Sequence, residues 1–409
     1  MSQTMPPPVF DPFAPGFTDD PYPQYAALRA GAPAGRNPFG FWLLTRHDDI
    51  SGLLRAGMSV EDGNITDHEL LSLREQVFGE VREGSRARSM LDRDPPDHTR
   101  LRRLVSKAFT PRAVQALRPR ITGLVEEMLD AAGRQGRVDL VDALAFPLPF
   151  AVIGEMLGTP PADHERIRQL SGTVVRSLEP VNDPATAAAI VEADAELTQI
   201  AAEMIAWKRA HPADDLLTAL INAEDDGDVL GDDELISQTL LLYIAGHETT
   251  VNLIAGGTLA LLRHPDQLAR LRAEPALIGN AVEEMLRYDS PVQATRRITL
   301  EPASFTGVTI PPGSFILALL GSANRDESYF GPDAGEFRLD RENARQHVSF
   351  GAGPHHCLGA SLARMEAAIA VGQLTSRFPG LALEGEPTWN GRINLRGPAH
   401  LPVSLNPSR

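Results

Sequence analysis

The sequence predicts a mainly α-helical fold with a minor β part, and three features of the chain indicate it. Between about 98 and 260, apolar residues recur at three- and four-residue spacing, as in Ile121, Leu124 and Val125. One long apolar segment runs from about 233 to 263. Strand-like runs are short and lie beside turns that are rich in proline and glycine.

The predicted elements follow in chain order. The first 60 residues contain many prolines and glycines with short apolar runs at 41–44, so we expect an irregular, partly β segment there. Helices are expected over about 61–290 and 359–378. The β-rich parts are expected at about 1–60, 295–320 and 380–409, and the whole chain, 1–409, as a single domain.

The segment from about 233 to 263 is the clearest helix, and Pro265 ends it. At ~1.5 Å per residue it is roughly 45 Å long. Because its first half is apolar on nearly every side, we expect it to be a buried central helix. A shorter helix is predicted over about 276–288, and another from about 360 to 377 after a glycine-rich loop.

Composition excludes several function classes. The 409 residues are 43% hydrophobic, which gives ample apolar surface for a core. The net charge of −16 disfavours nucleic-acid binding. Cys357 is the only cysteine, which rules out an intrachain disulfide framework, iron–sulfur clusters and multi-cysteine zinc sites. Since neither a signal peptide nor a run of 18 apolar residues is found, we expect a cytoplasmic protein without a membrane segment.

The loop at 350–359 places Cys357 among three glycines and a proline, just before a helix. A helix N-terminus and free backbone N–H groups favour a thiolate, and a glycine-lined thiolate can approach a large flat ligand such as haem. Two other interpretations remain: a small buried hydrophobic residue, which is the usual role of a lone cysteine, or a nucleophile with His355 or His356 as its base.

A second motif, at 245–250 in the long helix, reads Ala-Gly-His-Glu-Thr-Thr. Ala245 and Thr249 are four residues apart and share a face, which leaves room for a planar cofactor. Glu248 is costly in an apolar helix unless it is paired or hydrated. The alternative is a local helix break caused by the two threonines.

Together these segments resemble the cytochrome P450 family, in its soluble bacterial branch. The pattern Phe350-Gly351-x-Gly353-x-His355-x-Cys357-x-Gly359 is similar to the family's haem-binding loop, and four further segments follow the family's order over essentially the full length. The resemblance implies an α-rich bundle around haem b with a small β-rich region. It also implies that Cys357 ligates the iron, with Phe350, Gly351, His355 and Gly359 beside the cofactor.

The resemblance assigns roles to further residues. Glu248 and Thr249 would relay protons during dioxygen activation, with Ala245 against the haem. Glu284, Arg287 and, by a looser match, Arg341 would form a buried structural ion pair. The haem propionates would be bound by His98, Arg102, Arg297 and His355. The substrate pocket would include Leu242, His247, Val292, Ala294 and Ile393, and the segment 60–92 would be a mobile lid.

The implied activity is that of a haem-thiolate monooxygenase of bacterial secondary metabolism. It would insert one oxygen atom from O2 into a small apolar organic substrate by hydroxylation, epoxidation or O-dealkylation. Because the chain has no flavin or dinucleotide motif, electrons would come from a separate ferredoxin and its reductase. The ferredoxin would bind a basic patch on the cysteine side, where 93–120 holds eight lysines and arginines, although a merely solvated helix face has the same pattern. We expect a monomer.

Two other functions are compatible with the motifs. One is a haem-thiolate enzyme that is driven by peroxide or rearranges its substrate, but the Glu248-Thr249 pair disfavours it. The other is a non-catalytic haem sensor or ligand carrier.

Overall fold

The structure is a computed structural model, and it describes residues 8–72, 89–158, 164–179, 181 and 183–405. The predicted mainly α-helical class with a minor β part is confirmed. The part of the predicted lid at 73–88 lies outside the described residues.

The α-helices of the described residues follow one another along the chain in this order. They are α1 Tyr22–Gly31, α2 His47–Arg55, α3 Asp97–Ala108, α4 Pro111–Ala116, α5 Arg118–Gln135, α6 Pro147–Leu157, α7 His164–Val174, α8 Pro184–Ala210, α9 Leu216–Ile221, α10 Asp232–Arg263, α11 Pro265–Ala273, α12 Ile278–Tyr288, α13 Leu320–Ala323, α14 Glu327–Phe330 and α15 Ala360–Arg377.

The strands are short. They are β1 Ala34–Arg36, β2 Trp42–Leu44, β3 Arg137–Asp139, β4 Glu224–Asp225, β5 Asp228–Val229, β6 Thr295–Ile298, β7 Ala303–Phe305, β8 Val308–Ile310, β9 Phe315–Ala318, β10 Ala382–Leu383, β11 Thr388–Trp389, β12 Pro398–His400 and β13 Pro402–Ser404. Short 3-10 turns and one π turn at Val141–Ala145 connect some of the helices.

The chain divides into two compact units. Unit one is drawn from Met1–Gln76, Gly256–Cys357 and Pro387–Ala399, and unit two from Val77–Ala255, Leu358–Glu386 and His400–Arg409. The single-domain organisation expected from the sequence stays a prediction.

Unit one contains a four-stranded sheet in the order β1-β2-β9-β6. The pairs β1–β2 and β9–β6 are antiparallel, and β2–β9 is parallel with Trp42 opposite Ile316. One face of this sheet packs on α2 through Leu44, Ile50, Leu54 and Ile316, all buried. Val348 and Ala352 belong to the same cluster, so the entry to the cysteine loop is part of this core.

Unit two contains most of the long helices and a three-stranded sheet in the order β10-β13-β3. Its helix α5 packs against α15, which starts directly after the cysteine loop. The central helix α10 begins one residue before the predicted position and ends at the predicted Arg263. None of the helices in the described ranges has the length and apolarity that a membrane span needs.

The expectation of an irregular, partly β segment over 1–60 was wrong in one respect, because α1 and α2 lie there. Pro23 sits in the first turn of α1, where its missing N–H costs nothing. In α2, Ile50, Leu53 and Leu54 recur at helical spacing behind Asp48 and Asp49, two acidic residues that favour a helix N-terminus.

Candidate active site

The cysteine loop is closed by backbone hydrogen bonds within unit one. The N–H of Cys357 donates to the carbonyl oxygen of Phe350 at 2.9 Å, and the N–H of Gly351 donates to that of Val348 at 2.8 Å. Cys357 is in no disulfide and is exposed. The loop therefore presents its sulfur at the surface of unit one and holds it there from the backbone.

Glycine is required at two positions of this loop. Gly351 and Gly353 have φ of 66° and 67°, a region that residues with a Cβ rarely adopt. At Gly353 an added Cβ would also overlap the carbonyl oxygen of Leu54 and lie 3.1 Å from Cα of Arg55. Gly353 thus lets the loop lie directly on the end of α2, and neither glycine has a side chain that could cover the thiol.

The predicted structural ion pair is buried in unit one. Arg287 has no exposed surface, and its Nε and Nη2 donate to the two carboxylate oxygens of Glu284 at 2.6 and 2.8 Å. Arg341 Nε donates to Glu284 Oε1 at 3.2 Å. Burial lowers the pKa of Arg287, and the hydrogen bonds that it donates to Glu284 oppose that change. The structure thus brings all three predicted residues together.

The central helix α10 has one accessible strip within unit two. Ala245 and Gly246 are exposed, and Leu241, Glu248 and Thr249 are partly exposed, whereas most of their helical neighbours are buried. At 100° per residue, Leu241, Ala245, Glu248 and Thr249 fall on one face of the helix. This strip of small and polar side chains in an apolar helix fits a surface that a flat cofactor would cover.

The two threonines of the motif make the same bond in different surroundings. Thr249 Oγ1 is exposed and donates to the carbonyl oxygen of Ala245 at 2.9 Å. Thr250 is buried and donates to that of Gly246 at 3.0 Å. Neither bond breaks the helix, so the motif does not act as the local helix break that was the alternative interpretation.

His247 and Leu242 are both buried in unit two. The ring of His247 packs edge-on against Phe146 and Phe150, with ring centroids 4.2 and 5.4 Å apart. As substrate-pocket residues, both stay predictions. Leu241 was missed, although its position four residues before Ala245 places it on the accessible strip.

The anion-binding candidates lie in both units. In unit two, His98 is buried in the first turn of α3 and Arg102 is partly buried one turn later, so both share a helix face. In unit one, Arg297 is buried on β6, and its Nη1 donates to the carbonyl oxygen of Arg296 at 2.6 Å. His355 is partly buried in the 3-10 turn before Cys357.

The three remaining pocket candidates lie together in unit one. Val292 forms a β-bridge with Leu395, next to Ile393. The N–H of Ala294 donates to the side-chain oxygen of Asn394 at 3.0 Å. Ala294 and Ile393 pack against the same aromatic cluster around Tyr25.

The basic stretch at 93–120 is partly neutralised within unit two. Arg100 pairs with Asp228 and Glu234, and Arg103 and Lys107 both pair with Asp225. Arg120 pairs with Glu155. By contrast, Arg112 and Arg118 are exposed and have no ion pair among the described residues.

Unit two also contains a small apolar cavity that is partly open to solvent. It is lined by α7, α8 and α10, and the lining includes Ser171 and Tyr243. Tyr243 lies on the face of α10 opposite Ala245. Ile244 also lines the cavity and is four residues before Glu248, so the cavity adjoins one edge of the accessible strip of α10.

Comparisons with known proteins agree with the loop and helix geometry. A family model described as Cytochrome P450 matches residues 186–390. Cytochrome P450 107B1 of Saccharopolyspora erythraea is 43% identical over 402 residues, which cover 96% of each chain. The chain belongs to the cytochrome P450 family.

Other members of the family are similar over nearly the whole length. The vitamin D(3) 25-hydroxylase of Pseudonocardia autotrophica is 39% identical, covering 97% of this chain and 96% of that relative. The crystal structure of P450BioI in complex with acyl carrier protein ligated with hexadec-9Z-enoic acid has a TM-score of 0.85 at 34% identity, covering 95% of this chain and 98% of that one. The chain is therefore an enzyme, a cytochrome P450 monooxygenase.

Family membership implies a haem cofactor, organic substrates, O2 and redox partners. Within unit one, the exposed Cys357 thiol on a loop whose glycines add no bulk fits a haem-iron ligand. Within unit two, considered by itself, the strip at Ala245 is accessible to a flat cofactor. Both units carry cationic side chains that suit propionates.

Proposed function

We propose that this cytochrome P450 binds haem b through the thiolate of Cys357 and inserts one oxygen atom from O2 into a small apolar organic substrate, by hydroxylation, epoxidation or O-dealkylation. The observation that carries the proposal is the exposed Cys357 thiol on its backbone-closed loop. A thiolate ligand favours O–O cleavage, which is the redox chemistry that the haem supplies when it is bound.

The chain's own contribution starts with the thiolate. Cys357 precedes the first residue of α15 by three residues, and its N–H donates to the carbonyl oxygen of Phe350. The N-terminal end of a helix stabilises negative charge nearby. His98, Arg102, Arg297 and His355 would bind the propionates, as charge-assisted hydrogen bonds to carboxylates are the strong ones.

Glu248 and Thr249 are the proposed proton-delivery pair. Because the Thr249 hydroxyl donates a hydrogen bond to the carbonyl oxygen of Ala245, its lone pairs remain able to accept a further hydrogen bond. Glu248, its neighbour on the accessible strip, would bring protons from solvent. This arrangement supports dioxygen activation over the peroxide-driven and sensor alternatives.

The proposed substrate is apolar, with Leu241, Val292, Ala294 and Ile393 as candidate contacts. Two relatives support this class by their names: one is a hydroxylase of vitamin D(3), and the other is bound to a fatty acyl group on a carrier protein. The electron donor is proposed to be an acidic ferredoxin. Arg112 and Arg118 are the candidate contacts, because they are exposed and free of ion pairs in the described part of the chain.

The first experiment is the absorption spectrum of the reduced protein under carbon monoxide. We expect a strongly red-shifted Soret band in the wild-type protein and its loss in Cys357→Ser. The matched control is His356→Ala, which removes an exposed potential ligand from the same loop and should keep the band. A red-shifted band that survives Cys357→Ser would overturn the thiolate assignment.

The second experiment compares the two threonines. Thr249→Ala should consume reductant and release peroxide instead of product. Thr250→Ala loses an equivalent bond on the buried side and should keep its product yield per electron. Equal product yields from the two variants would contradict the proton-delivery role of Thr249.

A further inference from the structure

The three residues that lead into the cysteine loop are held by buried polar side chains of unit one. Asn324, which has no exposed surface, accepts a hydrogen bond at Oδ1 from the N–H of Val348 at 2.8 Å. Its Nδ2 donates to Ser349 Oγ at 2.7 Å and to Ser290 Oγ at 2.6 Å. The amide side chain of Asn324 therefore binds the backbone of Val348 and the hydroxyl of Ser349.

A second anchor comes from His347. Its Nδ1 accepts a hydrogen bond from the N–H of Ser349 at 3.1 Å, which places the ring proton on Nε2. Nε2 lies 3.1 Å from Glu283 Oε2, to which it donates. The Ser349 hydroxyl in turn donates to the carbonyl oxygen of Leu286 at 2.6 Å. Both anchors lead back to α12.

Asn324 also contacts the buried ion pair. Its backbone carbonyl oxygen accepts a hydrogen bond from Arg287 Nη1 at 2.8 Å. The backbone of Asn324 thus contacts the Glu284–Arg287 pair, while its side chain contacts the residues that lead into the cysteine loop. Nothing in the sequence motif of either partner indicates this connection.

A short series of hydrogen bonds continues from Asn324 to the cysteine. The N–H of Val348 donates a hydrogen bond to Asn324 Oδ1, and the carbonyl oxygen of Val348 accepts one from the N–H of Gly351. Phe350, within that turn, accepts the N–H of Cys357. Any shift of Val348 therefore moves the backbone that fixes Cys357.

We propose that Asn324 is a positioning residue for the Cys357 thiolate: it fixes the loop entry at Val348 and Ser349 and so keeps the sulfur in place as a ligand. The proposal rests on the proposed function, in which Cys357 ligates haem. Without Asn324, the buried N–H of Val348 has lost its acceptor, and a buried unsatisfied donor is costly enough to favour rearrangement of the loop.

The test uses the full-length haem protein and compares Asn324→Ala with Asn280→Ala. Asn280 is the matched control because its Nδ2 donates to the carbonyl oxygens of Leu339 and Arg341 at 2.8 and 3.1 Å, within the same unit but away from the cysteine loop. In a urea series, the red-shifted Soret band of the reduced carbon monoxide complex reports thiolate ligation, and far-UV circular dichroism reports folding.

In the wild-type protein and in Asn280→Ala, we expect the band and the helical signal to be lost together. In Asn324→Ala, the band should be lost at a lower urea concentration, while the helical signal is still native. Coincident loss of both signals in Asn324→Ala would overturn the positioning role, since it would show an effect on global stability alone.

Amide hydrogen exchange separates this inference from the proposed function. The peptide covering 347–358 should exchange roughly tenfold faster in Asn324→Ala than in the wild type, and unchanged in Asn280→Ala. If Asn324→Ala does not fold, Ser349→Ala removes one contact of the same amide and should shift both readouts in the same direction. A wild-type protein without the red-shifted band overturns the proposed function, whereas unchanged exchange in the Asn324 or Ser349 variant overturns the positioning role.

Discussion

Glu366 gives the stability of this protein a dependence on pH that one substitution should remove. The residue lies on α15 in unit two, and only 2% of it is exposed. Its Oε2 has no hydrogen-bond partner among the described residues. Burial raises the pKa of Glu366 from 4.5 to about 8. The folded protein therefore carries this carboxyl group protonated and neutral at pH 7.

The sign of the effect follows from proton binding. Between pH 4.5 and about 8 the folded state keeps a proton that the unfolded state releases, so the free energy of unfolding falls as the pH rises. The slope is about 1.4 kcal/mol per pH unit, and the full window corresponds to roughly 5 kcal/mol. Below the window both states are protonated, and above it both are ionised, so this group adds no further dependence there.

The perturbation is Glu366→Gln, which keeps the shape of the neutral acid and cannot ionise. Urea unfolding followed by circular dichroism at pH 6 and pH 8 measures the effect. From pH 6 to pH 8, the free energy of unfolding should fall by about 2–3 kcal/mol more in the wild type than in the variant. Glu386→Gln, at an exposed glutamate of the same unit, is the control and should behave like the wild type. If the difference between wild type and Glu366→Gln is the same at both pH values, the burial argument is refuted.

Three other substitutions test the buried charges and the loop glycine. Glu284→Ala leaves Arg287 buried without its counter-charge and should lower the free energy of unfolding by about 3–5 kcal/mol in urea titrations, more than Glu342→Ala at an exposed site. Lys208→Met breaks a buried ion pair in which Nζ lies 2.5 Å from Asp215 Oδ2, so the melting temperature should fall, and the double variant with Asp215→Leu should recover most of the loss. Gly353→Ala should lower the free energy of unfolding by about 1–3 kcal/mol or more, because φ is 67° there and the carbonyl oxygen of Leu54 occupies the place of a Cβ. The same substitution should weaken the red-shifted Soret band. By comparison, a Cβ added at Gly63 meets no atom within 4 Å, so Gly63→Ala should leave the free energy of unfolding and the Soret band nearly unchanged.

Local patterns predicted the elements that carry strong local signals. The central helix was found because its apolar run is long and Pro265 follows it, and α15 was found at its observed bounds, Ala360–Arg377. Motif spacing also indicated Glu284 and Arg287, which the structure joins in a buried pair. These features depend on residues that are close in the sequence.

Two of the features that the sequence did not indicate depend on long-range contacts. Asn324 becomes important only because Arg287, Ser290 and Val348 surround it, and these residues are distant from it in the sequence. Glu366 is unusual only because the fold buries it. Leu241 is four residues before Ala245, so helical periodicity alone places it on the accessible strip, whereas Leu242 as a pocket residue stays a prediction.

The network around Arg287 determines how the chain between α13 and the cysteine loop satisfies its backbone carbonyls. The guanidinium donates to the carbonyl oxygens of Asn324, Ala334 and Glu336, and that of Arg341 donates to those of Phe330 and Asp333. This segment has little regular secondary structure of its own to satisfy those carbonyls. The path of this segment therefore depends on a side chain of α12 as well as on hydrogen bonds within the segment itself. Removal of Arg287 would leave buried carbonyl groups without donors along the stretch of chain that precedes the cysteine loop.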